Sequence, residues 1–167
     1  MRDKRFIAAH RGGPLEKENH HKLIRWAREC SEHVLSLIDE DPDPRLLYAL
    51  YIAKEWEAGN VTVGEARKAS VGAHAVARES SDPVSVAVAR SIGHTVATAH
   101  MADHSIGGAL YALKAIRLAG KSTEEEFVWQ KVKLEQLPAE IVELILTTLA
   151  GKAKGFGIFD KNFQKNK

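Results

Sequence analysis

The sequence contains a single cysteine, Cys30, among its 167 residues. One cysteine excludes an internal disulfide and leaves no cysteine cluster that could hold a metal ion. Chains without disulfides are typical of the reducing cytoplasm, so we expect a cytoplasmic protein.

The chain also lacks a strong charge of either sign and any long hydrophobic run. The 24 Lys and Arg residues oppose 22 Asp and Glu residues, and the net charge of +2 is too small to indicate a nucleic-acid partner. No apolar stretch reaches the roughly 20 residues of a membrane-spanning helix without a charge or a glycine. The apolar part of residues 1–13 is too short for a signal peptide. We therefore expect no membrane partner.

Strand patterns are absent as well, because no stretch alternates polar and apolar residues for long enough. Helical spacing recurs instead, between start and stop signals such as the Thr62 and Glu65 capping box. The sequence predicts an all-α, single-domain bundle of six or seven helices. The first three predicted helices span residues 19–38, 45–58 and 63–79. Further helical sequence lies within residues 84–119, another helix begins after Ser122, and the last runs from Pro138 to a stop at Gly151.

The two ends of the chain differ in composition from the middle. Residues 1–18 are basic and interrupted by glycine and proline, and residues 151–167 carry five lysines with interleaved phenylalanines. We expect a partly flexible N-terminal arm over residues 1–18, a helical bundle over 19–150, and a flexible basic tail over 151–167. Contact of this tail with an acidic partner or phosphate is the alternative.

The bundle is predicted to form around residues 86–116, a segment of small and aliphatic residues that is apolar nearly all round. This composition is typical of a buried central helix. A single straight helix over residues 84–119 would be on the order of 50 Å long, at 1.5 Å per residue, which is long for so small a domain. We therefore expect two helices, with the break between Thr98 and Asp103 or at Gly107 and Gly108.

Four histidines and one aspartate in or near this segment are the candidate site residues. On a helix, His100 and His104 would project from one face, one turn apart, as in a two-histidine half-site for a transition metal. His94, His74 or Asp103 could complete such a site for zinc, iron, manganese or nickel. Asp103 would point about 100° away from His104 on an unbroken helix, so its participation requires the helix break.

A second interpretation needs no metal. The histidines would then form a polar seam in a core of small residues, where they bond one another, Tyr111, Thr95 or backbone carbonyls. Glycines would allow the helices to approach closely. Neutral histidines in that seam would make folding sensitive to acid. No serine nucleophile motif and no phosphate-binding glycine loop is present, so no catalytic residue is assigned.

Several segments of the chain together form a recognisable pattern. They are RWAREC (25–30), the proline and arginine of DPDPR (41–45), Trp56 followed by Gly59, GEARKA (64–69) with His74 following, ARSIGHTVATAHMADH (89–104) and YALKAI (111–116). AHMADH, at residues 99–104, is the most specific of them. With this pattern the chain resembles a known family over roughly residues 20–138, the immunity proteins of bacterial toxin systems in the group similar to type five.

The resemblance implies an all-α cytoplasmic protein that binds a protein toxin without catalysis and neutralises it by occlusion. The polar motif of the family would correspond to His74, His94, His100, Asp103 and His104. Two hypotheses of other classes stay open: a metal-binding protein or metal-dependent enzyme that uses the histidines, and a homo-oligomeric helical module with the central segment at a two-fold interface.

Overall fold

The computed structural model describes residues 3–158, and this part of the chain forms seven α-helices and no named strand. This confirms the predicted all-α bundle. In chain order the helices are α1 (Lys17–Leu35), α2 (Pro44–Glu57), α3 (Val63–Glu79), α4 (Pro83–Ala97), α5 (His104–Leu118), α6 (Thr123–Leu134) and α7 (Ala139–Phe156).

The helices begin where local side chains satisfy the first free backbone N–H groups. At the start of α3, the Glu65 N–H donates to the Thr62 hydroxyl at 3.1 Å and the Thr62 N–H donates to the Glu65 carboxylate at 2.7 Å. This is the predicted capping box. Asp82 and Ser122 accept the corresponding bonds before α4 and α6. Such caps depend on short stretches of sequence, which is why these boundaries could be predicted.

The central segment is broken between α4 and α5, as predicted. Helix α4 ends at Ala97, residues 98–103 form turns, and α5 begins at His104. The buried His20 of α1 donates from Nε2 to the Thr98 carbonyl oxygen at 2.6 Å, so α1 satisfies a backbone acceptor that the end of α4 leaves free. The hydrogen bond from His20 of α1 therefore helps to stabilise the turn between α4 and α5.

Helices α4 and α5 pack against each other and form the middle of the core. Their inner positions are small or aliphatic and fully buried, including Ala89, Ile92 and Ile106. A buried hydroxyl cluster joins α4 to α1: the Ser31 hydroxyl lies 2.8 Å from that of Ser91 and 2.7 Å from that of Thr95. In the same cluster, the Ser91 hydroxyl donates to the Gly108 carbonyl oxygen and the Thr95 hydroxyl donates to the Ala27 carbonyl oxygen.

The described termini pack onto this core. Phe6 and Leu15 are buried beside two short 3-10 turns. The predicted stop of the last helix at Gly151 was wrong, because α7 continues to Phe156 and ends at Gly157, whose φ of 59° is left-handed. Leu149 and Ala153, four residues apart, keep one face of α7 buried past Gly151. The rest of the predicted basic tail, residues 159–167, lies outside the described residues.

No helix within residues 3–158 is long and apolar enough to cross a membrane.

Candidate functional site

The four predicted site histidines form a row that connects helices α3, α4 and α5. His74 lies on α3, His94 on α4, His100 in the turn before α5, and His104 at the first position of α5. The ring centroids of neighbours in the row are 5.3 Å apart for His74 and His94, 5.3 Å for His94 and His104, and 5.2 Å for His100 and His104. The structure therefore brings all four histidines together, although His100 does not share a helix with His104.

The middle of the row is a direct contact between two imidazoles. The Nδ1 atoms of His94 and His104 are 3.2 Å apart. One Nδ1 must carry a hydrogen and the other a lone pair for this bond to form. Tyr111 also stacks on His94, with ring centroids 5.2 Å apart and an interplanar angle of 16°. His94 is thus held by polar and aromatic contacts together.

Arg90 fixes the α3 end of the row. Its Nη1 lies 2.8 Å from Nδ1 of His74, and because a guanidinium can only donate, Nδ1 of His74 is the acceptor. His74 is consequently neutral in this arrangement, with its hydrogen on Nε2. Burial, followed by the charges of Arg90 and Arg78, lowers the pKa of His74 from 6.5 to about 4.

The pKa of His94 is lowered in the same direction. Burial is the main cause, and the neighbouring His104, His74, Arg90 and Lys152 add to it, so the pKa falls from 6.5 to about 4. At neutral pH both rings are therefore uncharged. The centre of the row acts as a set of neutral hydrogen-bonding groups between α3, α4 and α5.

Two glycines give the imidazoles their space. A Cβ at Gly93 would lie 2.7 Å from Cε1 and Nε2 of His74, and a Cβ at Gly107 would lie 2.6 Å from Nδ1 of His94. Real Cβ atoms do not approach other atoms so closely, so each ring sits directly on a helix backbone. Gly108 also allows close packing, as expected for glycines in this seam, because a Cβ there would lie 2.7 Å from the Thr95 hydroxyl.

Asp103, the fifth candidate residue, precedes α5 at its N-cap position and is partly exposed. It lines an open cleft of about 280 Å³ beside the histidines. Lys152 and Phe156 of α7 form part of the wall of this cleft, and the Phe156 ring meets that of Tyr111 edge-on at 5.1 Å. The cleft places one carboxylate and one ammonium group next to the imidazoles of His94 and His104.

The described part of the chain contains no group of three or more His, Cys, Asp or Glu side chains that could hold a metal ion. Two ring nitrogens 3.2 Å apart are instead occupied with each other. Assignment of a metal site to His74, His94, His100, Asp103 and His104 stays a prediction.

A comparison with protein families identifies the chain. The family described as "Imm-5 like putative immunity protein" matches residues 13–137. The chain belongs to this family. The match starts shortly before α1 and ends after α6, so it contains the whole histidine row and excludes α7. No curated protein and no solved structure matches the chain significantly.

Two residues of this family member that matter to the row were missed by sequence reasoning. Arg90 was not singled out, although it lies four residues before His94 and so on the same side of α4. His20 was not singled out either, because nothing in its local sequence indicates a bond to residue 98. Helical spacing could have found Arg90, whereas His20 required the packing of α1 against the turn.

Proposed function

We propose that this protein is an immunity protein that binds a protein toxin in the cytoplasm and neutralises it by occluding its active site, without catalysis. The observation that carries the proposal is the family match over residues 13–137, which includes six of the seven helices. The partner class follows from the family, and the toxin itself is to be identified by experiment.

The histidine row supports a structural role for these residues in such a protein. His74 and His94 are neutral at pH 7, His74 bonds Arg90, His94 bonds His104, and the row connects three helices. These hydrogen bonds within the protein give the partly buried imidazoles partners without any bound substrate. The residues that touch the toxin are then expected on the exposed helix faces.

Co-expression tests the proposal. Each toxin gene encoded beside the gene for this chain is expressed in a sensitive bacterial host, with and without the chain. We expect growth to be restored for one of these toxins. If the chain restores growth with none of them, the immunity function is contradicted.

Titration then separates occlusion from catalysis. Purified chain is added to the active toxin, and the residual toxin activity is measured against the molar ratio. Occlusion predicts inhibition that saturates at a fixed stoichiometric ratio and is complete once binding equilibrates. Time-dependent inactivation by a small fraction of an equivalent would indicate an enzyme that modifies the toxin, and would overturn occlusion.

A further inference from the structure

The outer side of α2 is apolar and aromatic, and it has no acidic residue among its exposed positions. Leu47 is 47% exposed, Tyr48 is 52% exposed and Tyr51 is 57% exposed. Helical spacing places these three side chains on one stripe, because they lie within one turn of one another. The other exposed positions of α2 are Pro44, Arg45 and Lys54.

The outer side of α3 is basic between residues 67 and 78, although Glu65 and Glu79 are exposed near its two ends. Its exposed positions between residues 67 and 78 are Arg67, Lys68, Val71 and Arg78, and Val71 is 65% exposed. None of these three cations forms an ion pair with any side chain of residues 3–158. Each charge is therefore available to an approaching acidic group.

The two stripes lie on adjacent helices, because α2 and α3 are antiparallel neighbours. Nη2 of Arg45, near the start of α2, lies 2.5 Å from a carboxylate oxygen of Glu79 at the end of α3. A Cβ at Gly72 would lie 4.0 Å from Cβ of Arg45, so the backbones approach closely there. The combined surface is called the α2–α3 face and consists of Leu47, Tyr48, Tyr51, Arg67, Lys68, Val71 and Arg78.

The acidic residues next to this face are already engaged. Glu79 bonds Arg45, and Glu65 completes the capping box at the start of α3. Neither carboxylate forms an ion pair with Arg67, Lys68 or Arg78, although the charge of Arg78 adds to the bond from Arg45 in lowering the pKa of Glu79. The positive charge of the face is therefore local, although the whole chain has a net charge of only +2.

We infer that the α2–α3 face is the toxin-binding surface, and that it docks on an acidic region of the toxin with apolar pockets that receive Tyr48 and Tyr51. The inference rests on the proposed function. Tyrosine and arginine are the residue types that most often carry binding energy at protein interfaces. Complementary charge orients the partner and accelerates association. A protein partner suits the face better than nucleic acid, because the face exposes Leu47 and Val71 as well as its tyrosines.

Helix α6 provides a matched control surface. Val128 and Val132 are 59% and 56% exposed there, similar to the apolar residues of the α2–α3 face. Lys131 and Lys133 are exposed too, but the same helix exposes Glu124 and Glu125. Helix α6 thus offers two exposed valines and exposed charges of both signs, but no exposed tyrosine.

The test measures the dissociation constant of the chain and the toxin that it neutralises, by calorimetry or surface binding at low and at moderate salt. We expect the double variant Tyr48→Ala/Tyr51→Ala to weaken binding by roughly 30-fold or more, the range of interface hot spots. Arg67→Glu/Lys68→Glu is expected to slow association by roughly tenfold at low salt, with a smaller effect at higher salt. Val128→Ala/Lys131→Glu on α6 should bind like the wild type.

The outcomes separate the inference from the function on which it rests. One outcome is that the wild type protects against the toxin, the α6 variant loses binding, and the α2–α3 variants bind like the wild type. That outcome overturns the inference and leaves the proposed function intact. Failure of the wild type to neutralise any neighbouring toxin contradicts both. Tight binding of duplex or single-stranded DNA that the Arg67→Glu/Lys68→Glu variant loses would assign the face to nucleic acid and overturn the inference. All variants change exposed side chains, and melting curves confirm that they fold.

Discussion

The Nδ1 atoms of His94 and His104 lie 3.2 Å apart, and this contact ties α4 to the first residue of α5. The bond requires one ring to donate and the other to accept, so at least one of the two rings must be neutral. If both rings gained a proton, the acceptor would be lost and two positive charges would face each other at 5.3 Å between ring centroids. The stability of the central helix pair is thereby coupled to pH.

We expect the melting temperature to fall as the pH decreases from about 6.5 to about 4. The pKa values of His74 and His94 are lowered from 6.5 to about 4 in the folded chain. In that interval the unfolded chain binds more protons than the folded chain, so acid favours unfolding. The stabilising contribution is fully present above pH 6.5 and is lost as the pH approaches 4. Circular dichroism melts across this range measure the slope.

Two variants show whether the row is responsible for this slope. His94→Gln removes one titrating ring and should flatten the dependence of the melting temperature on pH between 6.5 and 4. His10→Gln changes an exposed histidine outside the row and should leave the slope as in the wild type. Equal slopes in the wild type and His94→Gln would mean that acid acts elsewhere.

Close packing of imidazole on backbone predicts that Gly107→Ala is destabilising. Its Cβ would lie 2.6 Å from Nδ1 of His94, so the ring or the helix must shift. We expect a loss of about 1–3 kcal/mol in the free energy of unfolding, as for overpacked cores. Urea denaturation measures it.

The control for this prediction is Gly151→Ala on α7. Nothing lies within 4 Å of a Cβ at Gly151, and the residue is exposed inside a helix. Alanine there should raise the free energy of unfolding by about 0.5–1 kcal/mol through helix propensity. If Gly107→Ala and Gly151→Ala have the same free energy of unfolding, the histidine row accommodates the extra methyl group without loss of stability.

The Arg90 side chain acts on His74 both as a donor and as a charge, and Arg90→Met removes both effects. We expect the pKa of His74 to rise toward 6.5, because one of the cations that lower it is gone. Loss of the bond to Nδ1 should also cost about 1–3 kcal/mol of unfolding free energy. NMR titration of the histidine ring signals measures the pKa, and urea denaturation measures the stability.

Arg78→Met distinguishes charge from hydrogen bonding. Arg78 also lowers the pKa of His74, but it is exposed and no hydrogen bond joins it to that ring among the described residues. We expect a smaller rise in the pKa of His74 and little change in stability. If the two variants shift pKa and stability equally, the bond from Arg90 contributes nothing beyond its charge.

Local chemistry and long-range packing differ in how far the sequence could predict them. The start of α3 follows from its capping box and was predicted correctly. The length of residues 84–119 predicted a break in that segment, and residues 98–103 were one of the two places where it was expected. The pairing of His74 with His94 could not be predicted from spacing, because residues 20 apart on different helices meet only when those helices pack. The stop at Gly151 was predicted wrongly for a related reason, since burial of Ala153 against the bundle carries α7 past the glycine.

Metal content is the measurement that decides between the two interpretations of the histidines. We expect untagged protein to contain less than stoichiometric zinc, iron, manganese or nickel, and chelator to leave its melting temperature unchanged. The reason is that residues 3–158 contain no group of three or more His, Cys, Asp or Glu side chains that could hold a metal ion, and the Nδ1 atoms of His94 and His104 bond each other. Native mass spectrometry with elemental analysis reports metal content and subunit number together. Stoichiometric metal that is lost in His94→Ala and retained in His10→Ala would support the metal-binding hypothesis instead.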